Sequence, residues 1–318
     1  MPLPKPNRYE SRDEYISRCM SDDTMNEEYP RRTQRLAVCN NIFSNKEQKQ
    51  FNFSLRKFIR AFKVGYQKLF RQSERVNFRV AKDFYRTGFD NAIDDFLKNG
   101  IKDKESYEIF FQKTAIQNMY ISIYTTTGLT FYNWYKKNYD TFIGKQEETD
   151  NIVEDFFQNY AINSTFTKQT SVQATVIKNI ENIFSKFLQD EDFVKDSFEG
   201  KSRRLHKQLD KRALWEARRI VKTETTLASN LGVNQGALSV MKPEQMVKKW
   251  ILGGSVDHRE GHVALDREDP IPFEDSFVNP VTGNILPYAG QGPASEVINC
   301  SCYVAPIPKR SEYLFNGN

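Results

Sequence analysis

Two cysteines and a histidine in the last third of the chain are the residues best suited to chemistry. Cys300 and Cys302 stand one residue apart, and His262 precedes them. Thiolate sulfur and imidazole nitrogen are common ligands in four-coordinate structural zinc sites. We therefore expect these three residues to hold a structural zinc ion, with Asp257 or His258 as the fourth ligand. Such a metal would stabilise a loop-rich region whose apolar core is small.

Two other interpretations of the same residues stay open. Without a metal, the cysteines pack as small apolar side chains, and His262 hydrogen-bonds to Asp257 or to a backbone carbonyl. As an enzyme, Asp257, His258 and His262 would bind a metal that activates water for phosphodiester cleavage, and Glu224 near Arg218 invites comparison with ADP-ribosyl transfer. The sequence lacks a Gly-rich phosphate loop and a convincing Ser-His-Asp or Cys-His arrangement. We therefore expect a protein that is not an enzyme.

The histidine and the cysteines belong to a series of four motifs. These are Thr223, Glu224, Thr225, Ala228 and Asn230; then Trp250; then Asp257, Arg259, His262, Leu265 and Asp266; then Ile298 to Cys302. In this order over about a hundred residues, the motifs resemble the C-terminal domain of the phage Mu F-like head morphogenesis proteins. Two positions depart from that pattern, because Lys222 stands where the family often has Arg and Ser301 where it usually has a basic residue.

The resemblance implies a minor head protein of a tailed bacteriophage. Such a protein binds the portal vertex inside the head and assists head morphogenesis and the packaging or ejection of DNA. The portal protein is then the partner of the helical N-terminal part, with scaffolding or major capsid protein as further candidates. The implied location is the virion, and the host cytoplasm during assembly. Thr223, Glu224, Trp250 and Arg259 are expected to be structural, with Arg259 paired to Glu224.

Positive charge is concentrated in two segments. Residues 51–86 contain ten Lys or Arg against two acidic residues, and residues 201–222 contain nine against two, although the whole chain carries only +5. Such concentration is typical of proteins that contact duplex DNA without sequence preference. A solvated helix face is the alternative. The candidate DNA contacts are Arg56, Lys57, Arg60 and Lys63 in the first segment and Lys201, Arg203, Arg204, Lys207, Lys211 and Arg212 in the second.

The composition argues against several classes of protein. No run approaches the roughly 18 apolar residues that a membrane-spanning helix needs, and the N-terminus lacks an apolar signal region. We therefore expect a protein that is neither membrane-embedded nor secreted through a signal peptide. Four cysteines in 318 residues are too few for a disulfide scaffold. Cys19 and Cys39 are expected to be packed thiols, and strain disfavours a disulfide between Cys300 and Cys302.

The spacing of apolar residues predicts a mainly α fold. Leu55, Ile59, Phe62, Tyr66 and Leu69 recur at intervals of three and four, as in an amphipathic helix. Helices are expected at 55–69, 79–98 and 106–138. The last should be interrupted at 125–128, where β-branched residues and a glycine lower helix propensity. The Phe and Tyr side chains on these helices are expected in buried faces rather than on base-stacking surfaces.

Three regions are expected along the chain. Residues 1–44 form a short appended helical module that resembles one found on other phage head proteins, and residues 45–200 form the helical portal-docking region. Residues 201–318 form a small irregular α+β domain that begins with a basic helix. Its strands are expected near 246–252, 284–287 and 301–305, and Asn279-Pro280-Val281-Thr282-Gly283-Asn284 is expected to be a turn.

Overall fold

The computed structural model describes residues 3–7, 10–139, 150–255 and 257–309, without the side chains of 45–54, 150, 151 and 167. The fold is mainly helical and ends in a small region of short strands, as the sequence predicts. The chain divides into two compact units. An N-terminal unit contains Met1–Ala61 with Pro308–Asn318, and a main unit contains Phe62–Ile307. Residues 62–200 and 201–307 therefore share one unit, whereas the sequence predicts a domain boundary near residue 200.

The N-terminal unit contains helices α1 (Arg12–Ser21) and α2 (Asp23–Glu28) and the beginning of α3 (Arg32–Asn99). A capping box starts α1, because Ser11 and Glu14 each bond the other's backbone amide. Cys19 and Cys39 are both buried and form a disulfide across these helices. The expectation of two packed thiols is therefore wrong. Cysteines 20 positions apart in sequence gave no local sign of the pairing.

The main unit is a helical bundle. After α3 come α4 (Lys104–Glu108), a 3-10 turn (Ile109–Phe111), α5 (Lys113–Tyr139), α6 (Asp150–Gln189), α7 (Glu191–Val194) and α8 (Phe198–Val240). The helices expected at 55–69 and 79–98 are parts of the single helix α3. The aromatic side chains lie mostly in the core, as expected: Phe62, Tyr66, Phe131 and Tyr135 are almost fully buried.

Helix α5 continues through residues 125–128, where the sequence predicts an interruption. Tertiary contacts outweigh the local propensity here. Thr127 is buried and its hydroxyl accepts a hydrogen bond from Asn77 Nδ2 at 2.8 Å. Gly128 lets the Phe157 ring of α6 pack against α5, because a Cβ at Gly128 would lie 2.5 Å from that ring. Both residues that weaken an isolated helix therefore serve contacts between α5 and its neighbouring helices.

The C-terminal part of the main unit adds a second 3-10 turn, short strands and two short helices. These are the turn at Pro243–Gln245, β1 (Met246–Ile251), α9 (Glu260–Arg267), β2 (Ile271–Pro272), β3 (Phe277–Val278), β4 (Ile285–Leu286), α10 (Ala294–Val297) and β5 (Tyr303–Pro308). Strand β1 lies between β2 and β5, and β3 pairs with β4 as an antiparallel hairpin around the predicted turn. Among the described residues, no helix is long and apolar enough to cross a membrane.

Candidate metal centre

Side chains on one face of α8 hold the backbone of the cysteine segment. Thr223 Oγ1 accepts the amide of Asn299 at 3.1 Å. One turn later, Thr226 Oγ1 donates to the carbonyl of Cys300 at 2.6 Å. The two threonines are three residues apart and so lie on the same face of the helix. They fix the chain on both sides of the point where the first cysteine projects.

Asn230 extends the same face by another turn. Its Nδ2 donates to the carbonyl of Cys302 at 3.3 Å, and its Oδ1 accepts the amide of Val304 at 2.8 Å. An amide side chain that both donates and accepts can replace a strand neighbour for an extended segment. The first and last motifs of the sequence are thus bound to each other, and the cysteines are placed by α8 rather than by a sheet alone.

The histidine is supplied by α9. His262 and Leu265 lie on the buried face of this helix, three residues apart. The ring of Trp250, on β1, packs against the imidazole with centroids 5.0 Å apart and an interplanar angle of 62°. Gly261 lets the helix approach the β3–β4 hairpin, because a Cβ there would lie 2.0 Å from Asn279 Oδ1. The position of the imidazole is therefore fixed by packing on two sides.

A buried carboxylate orients the imidazole. His262 Nε2 and Glu296 Oε2 are 2.9 Å apart, and each side chain is 2% exposed. Asn279 Nδ2, Thr282 Oγ1 and Asn284 Nδ2 also donate to the Glu296 carboxylate, at 3.1, 2.7 and 2.8 Å. Since these donors require the carboxylate to accept, His262 donates through Nε2–H. The lone pair of Nδ1 is then free to accept a proton or a metal.

The free nitrogen of His262 points at both thiols. Nδ1 lies 3.6 Å from Cys300 Sγ and 3.6 Å from Cys302 Sγ. The three ligand atoms lie within 4.8 Å of one another, and this is the one such group of metal-ligating side chains in the described part of the chain. Both cysteines are buried and not in disulfides, as expected for this pair. His262, Cys300 and Cys302 therefore form a group that can hold a metal ion.

A hydrogen bond between the two thiols moves their pKa values in opposite directions. A hydrogen bond from the Cys302 thiol lowers the pKa of Cys300 to about 5, although burial acts in the opposite direction. Donating that proton, together with burial, raises the pKa of Cys302 well above its ordinary value. Burial also opposes ionisation of Glu296, but its hydrogen bonds outweigh burial and lower its pKa. One thiolate is thus already available as a metal ligand.

The predicted fourth ligand is not part of this group. Asp257 is exposed and His258 is half-buried, and neither joins the cluster of His262 and the cysteines. Both residues precede α9, which begins at Glu260. His262 projects from the buried face of the helix, whereas the segment before it runs along the surface. The arrangement of Asp257, His258 and His262 that would activate water for phosphodiester cleavage is therefore not assembled.

The expected ion pair between Arg259 and Glu224 is also wrong. Arg259 Nη2 donates to the carbonyl of Ile298 at 2.7 Å and so holds the chain just before the cysteines. Glu224 is buried and accepts hydrogen bonds from Tyr124 Oη at 2.6 Å and from Lys168 Nζ at 2.8 Å. Each charged motif residue thus has a structural partner, but Glu224 tethers α8 to α5 and α6 instead of reaching the α9 region.

Glu296 and the hairpin residues that surround it are the members of the site that the sequence did not predict. Residues 279–284 were recognised only as a turn, which they form, with Gly283 at φ 71°. The same turn directs the side chains of Asn279, Thr282 and Asn284 at one carboxylate. A lone glutamate in Ser295-Glu296-Val297 carries no motif signal. Its role becomes visible only once the hairpin and α9 are placed around it.

The candidate DNA contacts fall into two groups. Arg204 pairs with Asp190, and Arg212 pairs with the buried Glu216, so the charges of both arginines are largely compensated. Lys201 lies over the Phe193 ring. The remaining candidates are exposed: Arg203, Lys207 and Lys211 on α8, and Arg56, Lys57, Arg60 and Lys63 on α3. Arg203, Lys207 and Lys211 recur every four residues and form a stripe along α8, which we call the α8 stripe.

Comparison of the chain with protein-family models, with curated proteins and with solved structures finds no match.

Proposed function

We propose that this chain is a minor head protein of a tailed bacteriophage whose C-terminal region is held together by a structural zinc ion. The zinc site is the more directly supported part. With zinc bonds of about 2.3 Å to sulfur and about 2.05 Å to nitrogen at the tetrahedral angle, sulfur and nitrogen lie about 3.6 Å apart. His262 Nδ1 lies 3.6 Å from each sulfur. That agreement is the observation that carries the proposal.

The surroundings of the three donors favour a structural ion over a catalytic one. His262, Cys300 and Cys302 are 2%, 4% and 1% exposed, so a substrate has no direct access to them. The nearest carboxylate, Glu296, is engaged by His262 and by three hairpin side chains. A carboxylate behind the ligating histidine fixes the ring and raises its basicity, as in many zinc sites. Zinc would join α9 to the segment before β5.

Metal analysis of the full-length protein tests the zinc site. We expect close to one zinc per chain after purification without added metal, and cobalt(II) substitution should give sulfur-to-metal charge-transfer bands. Cys302→Ser should lose most of the metal and lower the melting temperature. The control is Ser301→Ala, because Ser301 lies between the cysteines but contributes no ligand. Wild-type protein without metal, whose melting is unchanged by a chelator, would rule out the zinc site.

The role in the head rests on the motifs. The threonines and asparagine of the first motif bind the backbone of the last, Trp250 packs on His262, and Arg259 holds the chain before Cys300. Residues that are scattered in sequence thus converge on one site. This convergence supports treating the four motifs as one signature, and hence supports the resemblance to the Mu F-like head proteins.

Under this proposal the portal protein is the main partner, and the helical bundle offers a surface for it. The apolar stripe of α3 is buried at Phe62 and Tyr66 and half-buried at its other positions, so the partner surface is sought elsewhere. On α6, Ile152, Ile162 and Phe166 are 62%, 40% and 72% exposed. Exposed apolar side chains grouped on a helix are typical of a protein contact. Duplex DNA, contacted through the α8 stripe, is the second proposed partner.

Co-expression with the portal protein of the same phage tests the head role. The full chain should co-purify with the portal, and Ile162→Ser with Phe166→Ser should abolish that association while leaving the melting temperature unchanged. Leu188→Ser is the matched control, because Leu188 is 47% exposed near the end of the same helix. Failure of the wild-type chain to bind the portal or to appear in purified heads would overturn the proposed role.

A further inference from the structure

Helices α3 and α8 leave a groove between them that the metal centre does not use. It consists of two adjoining cavities of about 220 and 380 Å³. The cavities share Glu74 and Lys222 in their walls and so lie next to each other. At one end lies the Gly253-Gly254-Ser255 loop with Ser301, and at the other lie Phe78 and Val221. We call this recess the α3–α8 groove.

The groove gathers positive charge that the fold does not neutralise. Arg71, Arg75 and Arg218 line it and form no ion pair with the described residues. Lys222 Nζ donates to the neutral hydroxyl of Ser255 at 2.9 Å. Elsewhere on the same helices arginines are compensated, as in the pair of Arg86 with Asp210. The groove therefore concentrates four cations that lack a carboxylate of their own.

A single acidic side chain, Glu74, lies among these four cations and offsets one of their charges. Burial raises the pKa of Glu74, although the nearby Lys222 acts in the opposite direction. Four cations around a single carboxylate give the recess a net positive potential, and low-dielectric walls strengthen such a potential. The site is therefore complementary to an anion, and its length across two cavities favours an anion with more than one charge.

The walls between the cations are aromatic and aliphatic. Phe70 lines the first cavity, and Phe78 and Val221 line the second. The Phe78 ring is half-buried at the groove wall. The guanidinium of Arg218 lies 6.0 Å from the centre of this ring. A flat apolar wall next to a cation suits a ligand that carries flat apolar groups as well as negative charge.

We propose that the α3–α8 groove binds single-stranded nucleic acid, with phosphates on Arg71, Arg75, Arg218 and Lys222 and a base against Phe78. Cationic grooves with aromatic walls are the usual means of holding single strands without sequence preference. A duplex keeps the faces of its bases stacked inside, so it cannot place a base face against Phe78. The proposal is independent of the head role, because it rests only on this groove.

The groove is tested by fluorescence anisotropy on the full-length protein. The probes are labelled oligothymidylate and a labelled duplex of equal length, each titrated at several salt concentrations. The groove variant combines Arg71→Gln, Arg75→Gln and Arg218→Gln; all three side chains are exposed, so the fold should survive. The matched control removes the same charge from α8 through Arg203→Gln, Lys207→Gln and Lys211→Gln.

We expect the groove variant to bind oligothymidylate at least about tenfold more weakly, with a salt slope smaller by about 2, because each lost phosphate contact in a single strand removes about 0.7. The control variant should keep the wild-type affinity for the single strand. Phe78→Leu should weaken binding of oligothymidylate but not of an abasic strand, and should leave the salt slope unchanged. That pattern would assign both the phosphate contacts and the base contact.

Three outcomes would overturn the proposal. In the first, the groove variant binds the single strand as tightly as wild type. In the second, the groove and control variants weaken the single strand equally, which means that general charge and not the groove is responsible. In the third, a polyglutamate peptide displaces oligothymidylate at equal charge concentration, which would assign the groove to an acidic protein segment.

Discussion

The carboxylate of Glu296 connects the hairpin to His262 of the candidate metal site. Its oxygens accept from Asn279, Thr282 and Asn284 and face His262 Nε2, although the side chain is only 2% exposed. A buried carboxylate is stable only when donors compensate its lost hydration, and here four side chains do so. The residue therefore fixes both the tautomer of His262 and the conformation of the turn at 279–284.

Replacing Glu296 by glutamine tests this role. Glu296→Gln keeps the shape but removes the negative charge behind the imidazole, so Nδ1 becomes a weaker ligand. Loss of such a partner typically reduces metal affinity by about 10–100-fold. We expect a loss of this size in a competition titration with a chromophoric zinc chelator. Glu274→Gln changes an exposed glutamate of the same region and should leave the affinity unchanged. Equal affinities for Glu296→Gln and wild type would deny Glu296 a role in tuning the metal.

Lys248 on β1 is a second buried charge, and it makes stability depend on pH. The side chain is 6% exposed, and its Nζ donates to the carbonyl of Pro287 and lies over the rings of Phe273 and Phe277. Burial lowers the pKa of Lys248 to about 8, although Asp275 acts in the opposite direction. Between pH 8 and the ordinary value of 10.5, the unfolded chain binds the proton more tightly than the folded one. Stability from this residue therefore rises as the pH increases through that window.

Comparison with Lys248→Met isolates this contribution. The free energy of unfolding of wild type should increase relative to the variant between pH 7 and pH 10, by up to about 3 kcal/mol at about 1.4 kcal/mol per pKa unit. Urea unfolding of both proteins at the two pH values measures the difference, and other titrating groups cancel in the comparison. A constant difference between the two proteins across this range would show that Lys248 titrates normally.

The donor residues of the site were predictable from the sequence, but the residues that support them were not. His262, Cys300 and Cys302 stand out because their chemistry is specific and their side chains are rare in this chain. Glu296 does not stand out, because a glutamate is expected at the surface unless its burial is known. Asp257 and His258, the predicted fourth ligands, are close to His262 in sequence but lie outside the cluster. A ligand must point toward the same interior space as the other ligands. Near the start of a helix, residues that are close in sequence can point in different directions, and here Asp257 and His258 precede α9.

At the scale of elements, the crossing of α5 and α8 depends on glycine. A Cβ at Gly232 would lie 2.4 Å from the carbonyl of Gly128 and 2.8 Å from Phe131 Cβ, and a Cβ at Gly236 would lie 2.9 Å from the carbonyl of Tyr132. These two glycines are four residues apart and lie on one face of α8. The close approach lets Asn77 of α3 bond Thr127 and Thr225 at 2.8 and 2.9 Å. Three helices are thereby joined around one polar contact.

Gly232→Ala should destabilise the protein despite the higher helix propensity of alanine. Propensity alone favours alanine by about 1 kcal/mol, but backbone atoms cannot move aside as a flexible side chain would. We expect a net loss of about 1–3 kcal/mol, as for other overpacked cores. Gly254→Ala is the control, because nothing lies within 4 Å of its added Cβ, and it should be neutral in thermal unfolding. A neutral Gly232→Ala would mean that the helices can separate without cost.

Elements were predictable where one periodicity dominates. The helical region, the strand at 246–251 and the turn at 279–284 follow from apolar spacing and turn residues. The interruption predicted at 125–128 was wrong because propensity describes an isolated helix, whereas Thr127 and Gly128 are buried between neighbours. The disulfide of Cys19 with Cys39 was missed because α1 and α3 meet only in the folded unit.

For the whole molecule, the sequence located the positive charge but not its compensation. Of the candidates in residues 201–222, Arg204 and Arg212 pair with Asp190 and Glu216, and Arg219 shares Glu216. Compensated arginines release few counterions when a polyanion approaches, and so contribute little to the salt dependence of binding. The exposed α8 stripe and the α3–α8 groove remain as separate surfaces, and duplex DNA is expected at the first of them.

Within residues 201–222, duplex binding should therefore depend on three residues of α8 and not on all six candidates of that segment. Arg203→Gln, Lys207→Gln and Lys211→Gln together should reduce the slope of log affinity against log salt by about 2.7, because each phosphate contact with a duplex contributes about 0.9. Anisotropy titrations of a labelled duplex at several salt concentrations measure the slope. The groove variant, with the same loss of charge, serves as control and should keep the wild-type slope for the duplex. If the α8 stripe variant keeps the full salt slope for the duplex, these three side chains do not contact duplex phosphates, and the α8 stripe is not the duplex interface.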